Sequence, residues 1–189
     1  GEQVTVGSSN VAIGRGALEQ DTKGSKTVAI GQGTLNAQNF TTATDTFNTA
    51  VGHNAGVAVT TATGSTLVGG LSGDAITTGA NNTFLGYRSG TNQDTAAENT
   101  GVGRDALFTN TKSSNNVAVG STALAFLNHA TATDGFNVAV GNSAGYSLTT
   151  GVKNVLIGAS AGLELEDADF NVAVGYLALD ADTLGSKST

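Results

Sequence analysis

The sequence predicts an all-β chain wound into a parallel β-solenoid, or β-roll, of about ten coils, and three observations predict it. Ten glycines, from Gly14 and Gly31 to Gly158 and Gly175, recur at intervals of 17 residues, with 21 in two places. Each ends a segment of the form Asn-Val-Ala-Val-Gly. Three residues past each glycine the side chain is always small, and the next position is only Leu or Gly. A short fixed period of this kind means stacked coils rather than a conventional globular core.

The stretch before each glycine is short and β-branched, which suits a strand. The glycine then permits a backbone turn or a close approach that a Cβ would block. A second, weaker strand is expected from the period-two pairs Val57/Val59, Tyr146/Leu148 and Leu163/Leu165. Polar turns such as Thr77-Thr78-Gly79-Ala80-Asn81 close the coil. Four residues before the glycine stands Asn in eight coils of ten, with Thr27 and Ser65 as the exceptions. Stacked at about 4.8 Å, such amides can form a ladder, and ten coils make a rod about 45 Å long.

The two 21-residue intervals carry matching inserts, residues 39–48 and 128–137, which lie 89 residues apart. Arg15/Arg104, Leu18/Leu107, Thr22-Lys23/Thr111-Lys112 and Thr60-Thr61/Thr149-Thr150 return at the same distance. A duplicated five-coil block follows. Both inserts should bulge on one side of the rod, where solenoid insertions often bind. The whole chain, 1–189, then reads as one solenoid with residues 180–189 as a C-terminal tail. It begins at Gly1 rather than Met, which reads as a fragment or a processed product.

Composition narrows the function. Hydrophobic residues make up 39%, too many for a disordered linker, and there is no Pro, Cys, Met or Trp. Net charge is −7, so a nucleic-acid partner is not expected. No apolar run is long enough to span a membrane, and no signal peptide is visible.

Alternate strand residues point to opposite faces. The residue beside the glycine is always branched aliphatic, and this column is assigned to the coil interior. The residue two before the glycine marks the other face: Ala12, Ala29, Ala50, Leu67, Phe84, Gly101, Ala118, Ala139, Leu156 and Ala173. That face is also apolar throughout. It is therefore expected to pack against copies of the same chain.

The pattern Asn-Thr-Ala-Val-Gly-x-x-Ala-Leu with a Thr-Thr-Gly-x-Asn turn resembles the 17-residue repeats of bacteriophage tail-fibre proteins. Its Asn-x-Val-Ala-Ile-Gly core is also similar to the shorter coils of trimeric autotransporter adhesin heads. The resemblance covers residues 10 to 179. It implies a homotrimer, an extracellular or virion setting, and host attachment. The leading expectation is a structural and adhesive segment of a phage tail fibre. The alternative is a bacterial surface adhesin or extracellular filament subunit.

Catalysis is not expected, and no cofactor or metal is implied. His53 and His129 stand at non-equivalent positions of different coils. Glu164, Glu166, Asp167 and Asp169 read as a solvated edge, since the calcium-roll signature Gly-Gly-x-Gly-x-Asp is missing. Thr-x-Thr occurs only at Thr42–Thr44 and Thr131–Thr133, too sparse for an ice-binding array. The best binding candidates are in the inserts, for a host-surface glycan or protein: Phe40, Asp45, His129 and Asp134. A ring can stack on a sugar while a carboxylate accepts from its hydroxyls. Phe47 and Phe136 are expected to tuck back against the coil, leaving Phe40 and His129 open.

Overall fold

The computed structural model describes residues 3–188. All regular secondary structure among them is β-strand. Ten three-residue strands, from Val11–Ile13 and Val28–Ile30 through to Val155–Ile157 and Val172–Val174, form one parallel sheet in sequence order. The chain is a parallel β-solenoid of about ten turns. Register follows the repeat: Ala12 pairs with Ala29, Ala50 with Leu67, Phe84 with Gly101 and Ala118 with Ala139.

The inserts leave this sheet untouched, since Val28 pairs with Thr49 and Val117 with Val138 as in every other coil. Their extra residues bulge outward and return through small parallel ladders, Gly24–Ser25 with Thr44–Asp45 and Ser113–Ser114 with Thr133–Asp134. Lys23 Nζ donates to Thr41 O at 2.8 Å and Lys112 Nζ to Ala130 O at 3.2 Å, so both bulges carry the same latch. Winding continues past residue 180 rather than ending in a tail. Glu166 N donates to Thr183 O and Val172 N to Ser188 O.

The orientation of the sheet corrects the sequence reading. Ala29, Ala50, Leu67, Phe84, Ala118, Ala139, Leu156 and Ala173 are all buried inside their own chain, and with them Gly101. Ala12 belongs to the same inward column. It is exposed and lines a hollow with Val4, Gly7, Asn10 and Leu18. Buried under their own coils, the eight from Ala29 to Ala173 offer no surface to a second copy. The asparagines decide the parity. Asn82, Asn99, Asn116, Asn137, Asn154 and Asn171 are buried, and residues two apart on a strand share a face. With Asn inside, the position two before the glycine is inside too. The positions one and three before it face out.

The amides do more than stack side by side. In most coils Nδ2 donates to a carbonyl 14 residues on, closing its own turn: Asn99 to Ser113 O at 2.9 Å, Asn137 to Gly151 O at 2.9 Å, Asn154 to Ala168 O at 2.7 Å. Oδ1 accepts the N–H of the next residue in the column, as from Asn99 to Asn82 at 3.0 Å and from Asn171 to Asn154 at 2.9 Å. Direct amide-to-amide bonds link Asn99, Asn116, Asn137 and Asn154, each at 3.1 Å. At Thr27 the ladder is patched by Gln38, which donates to Thr27 and Asp21 and accepts from Asn48.

The second wall is a run of turns rather than a strand. The second and fourth residues after each repeat glycine have positive φ, for example Asn54 and Gly56, or Ser143 and Gly145. That backbone cannot extend, although it still bonds coil to coil, as Ala37 N does to Val57 O. It also explains the Leu-or-Gly column. Leu18, Leu35, Leu107 and Leu124 accept left-handed φ near +50° and are fully buried. Such a φ costs a non-glycine residue about 1–2 kcal/mol, against about 1.5–3 kcal/mol for burying a leucine. Glycine appears where neighbours already fill the space. A Cβ at Gly56 would meet Leu67, Leu35 and Val59 at 2.7–3.2 Å, and one at Gly90 would meet the Phe84 ring.

Candidate functional site

The inserts present a different set of side chains from the one expected. Phe40 and His129, which are equivalent in the duplicated blocks, are each 7% exposed and do not offer a ring to solvent. Phe47 and Phe136 are 61% and 51% exposed. The cause is local. Phe47 and Phe136 have left-handed φ of 53° and 49°, which turns their rings outward at the corner before the buried Asn. Phe40 and His129 start the bulge and lie under it.

Asp45 forms an ion pair with Lys26 at 2.7 Å, and Lys26 Nζ also sits 5.1 Å from the Phe47 ring. Asp134 accepts from Asn115 Nδ2 at 2.9 Å. Lys153 covers Phe170 in the same way, at 4.9 Å. Thr44 and Thr133 turn their hydroxyls back to Thr42 O and Thr131 O, so the Thr-x-Thr pairs sit on separate bulges. Asp167 accepts from Thr150 and Asp169 from Val152 N, which makes them rungs between coils. Among the described residues no group of three or more His, Asp or Glu could hold a metal. The described residues contain no helix long and apolar enough to cross a membrane.

His129 is the odd member of the duplicated pair. Its Nε2 is buried without a hydrogen-bond partner. Burial pushes its pKa below the ordinary 6.5, against the pull of Asp167 and Asp169. The unfolded chain takes up a proton near the ordinary value while the folded chain resists it. Stability from this group is therefore present above that pH and falls as pH drops through it. Replacing His129 by Phe, the residue the other insert uses, removes the orphaned nitrogen and is expected to stabilise by about 1 kcal/mol. The gain over wild type should widen between about pH 8 and pH 5. Urea midpoints across that range measure it.

The sheet's outward face is the largest feature that sequence reasoning misplaced. All ten positions beside the glycine are Val, Ile or Leu, and so are six of the ten positions two residues earlier. The other four are Thr49, Thr66, Thr83 and Thr100, in consecutive rungs. Val11, Ile13, Thr66, Thr83, Leu85, Ile157, Val172 and Val174 are exposed, and the rest are half-buried. The available signal was the column of buried asparagines, which shares a face with the small residues and not with these.

Charge and aromatic groups flank the face. Tyr87 and Arg104 stand just past the glycine, with Arg88 between the Tyr87 and Phe108 rings at 5.2 and 4.8 Å. Asp105 receives Arg88 Nε at 2.7 Å and Arg104 Nη1 at 2.6 Å, and its hydrogen bond raises the Arg88 pKa further. Compared with known protein families, with curated proteins and with solved structures, the chain matches none.

Proposed function

We propose that the chain is a structural and adhesive segment of an extracellular homotrimeric fibre, of the kind that forms bacteriophage tail fibres and contacts a host surface. The observation that carries this reading is the outward aliphatic stripe. It runs along all ten strands, and none of the described residues covers it. Its flanking columns, Lys26, Phe47, Glu98 and Phe170 on one side and Arg15, His53, Arg104 and Tyr176 on the other, are exposed as well. A strip about 45 Å long and about 20 Å wide offers about 900 Å² per copy, which is the size of a stable interface.

A cyclic arrangement of parallel rods brings every aliphatic rung to the axis, and a closed ring leaves no sticky face outside. Such a rod transmits force along its ladders rather than performing chemistry, so catalysis has no part in this reading. Weak surface contacts repeated on three chains would add by avidity.

Val119 lies mid-stack on this face and is half-buried in the single chain. Val119→Glu is expected to leave the coil folded and to weaken assembly by about a hundredfold, because a carboxylate would be buried unpaired near the axis. Sedimentation equilibrium should find a trimer for the wild type and a monomer for the variant. A wild-type monomer at micromolar concentration would refute the proposal.

A further inference from the structure

Across the core from the sheet, on the wall of turns, Phe126 forms the floor of a surface groove lined by Thr109, Asn128, Ser147, Thr149 and Glu166. Phe126 is 44% exposed. Tyr146 packs against it at right angles, with ring centroids 4.9 Å apart, and so fixes the orientation of its free face.

The rim carries unused hydrogen-bonding capacity. Asn128 Oδ1 is taken by Thr111 Oγ1 at 2.7 Å, which fixes the amide and leaves its NH₂ without a protein partner. Thr149 Oγ1 donates to Glu166 O at 3.1 Å. The Ser147 hydroxyl and the Glu166 carboxylate make no hydrogen bond among the described residues. A held aromatic face is thus surrounded by a two-proton donor, a hydroxyl and a bidentate acceptor.

From this we infer a saccharide-binding site on Phe126, specific for a neutral pyranose. The sugar's apolar C–H face lies on the Phe126 ring. Glu166 accepts from a pair of adjacent hydroxyls, and Asn128 donates to a ring or hydroxyl oxygen. The unpaired Glu166 carboxylate and the chain's net charge of −7 work against acidic sugars.

The duplication supplies a built-in comparison. Eighty-nine residues earlier the same frame is present, with Thr22 Oγ1 on Asn39 Oδ1 and Thr60 Oγ1 on Thr77 O. There Ala37 and Val57 stand where the other block has Phe126 and Tyr146, and Thr77 replaces Glu166. The coil therefore folds without the rings and without the carboxylate, and the site exists once per chain.

This inference rests on the attachment reading only for its biological setting, since the groove lies across the core from the aliphatic face and needs no second copy. The test is saturation-transfer NMR on the intact chain with the methyl glycosides of glucose, galactose and N-acetylglucosamine, and with N-acetylneuraminic acid as the anionic counterpart. Transfer to the C–H protons of at least one neutral glycoside is expected at millimolar concentration. Phe126→Ala and Glu166→Gln should each weaken that binding by about tenfold or more with unchanged circular dichroism. No transfer to any neutral glycoside, transfer only to the anionic sugar, or transfer unaffected by both substitutions would overturn the site. Sedimentation reports assembly separately, so either proposal can fail alone.

Discussion

Gly120→Ala is expected to cut the rod in two, at a cost of about 4 kcal/mol or more. Two effects add. Gly120 has φ +140°, a conformation that an L side chain rarely adopts. A Cβ there would also lie 2.5 Å from the carbonyl carbon of Gly141 and 3.1 Å from Asn142 N, both backbone atoms of the next coil. Backbone cannot rotate aside as a side chain can. The coils must separate, and the ladder bonds Gly120 N to Val102 O and Gly141 N to Val119 O lengthen or break. Because each coil touches only its neighbours, the damage should appear as a split unfolding transition rather than a uniform loss. Two controls separate the effects. At Gly175 a Cβ would meet only Ala178, at 4.0 Å, with φ +134°, so Gly175→Ala should show the backbone strain alone, about 1–3 kcal/mol. At Gly70, where φ is ordinary and the nearest atom is Tyr87 Cδ2 at 3.6 Å, alanine should be tolerated within about 0.5 kcal/mol. Urea unfolding of the three variants ranks them. Equal midpoints for Gly120→Ala and Gly70→Ala would contradict the stacking account.

Those contacts also explain why the period and the register were legible in the sequence. Where Gly31 and Gly52 meet carbonyl to Cα, no other residue fits, so the glycines mark the rungs and the pairing follows. The parity of the strand was not legible from hydrophobicity, because both faces are apolar. It was legible from polarity: an amide that serves two coils must be inside, and the small residues two positions on go with it. The second wall deceived for a different reason. Tyr146/Leu148 and Leu163/Leu165 have the spacing of one strand face, but only Leu148 and Leu165 are fully buried, because positive φ at Ser143 and Gly145, or at Ser160 and Gly162, bends the backbone.

Ring exposure in the inserts was written in the neighbouring coils. The corner that holds Phe47 and Phe136 carries Lys26, Glu98 and Lys153 elsewhere, and charges stand outside. The groove at Phe126 had a fainter trace, two rings standing where the other block has Ala37 and Val57. Its value as a site depends on Tyr146 lying one coil on and Glu166 two coils on. Only the stacking brings them together.

Asn154→Leu is expected to destabilise by about 3–5 kcal/mol although leucine is of similar size and the site is fully buried. The side chain closes its own turn through Nδ2 to Ala168 O at 2.7 Å, and it receives Asn171 N at Oδ1 at 2.9 Å. Nδ2 also reaches Asn137 Oδ1 at 3.1 Å. Leucine removes all three and leaves a backbone carbonyl and a backbone N–H buried without partners, each costing about 1–3 kcal/mol. Added apolar burial cannot offset this, because Asn154 sits in a column of amides rather than against the aliphatic core. Serine should be milder. Ser65 already stands in this column and still accepts Asn82 N through its hydroxyl at 3.3 Å, so Asn154→Ser loses the turn closure and keeps the link to the next coil. Aspartate should be worse than serine, because it keeps the acceptor but places an unpaired charge beside the Ala168 carbonyl. Hydrogen exchange at the Asn171 amide separates these cases. Its protection should collapse in the leucine variant and survive in the serine variant, while amides of the first five coils stay unchanged in both. Full protection of Asn171 in the leucine variant would mean that the ladder does not hold the coils together.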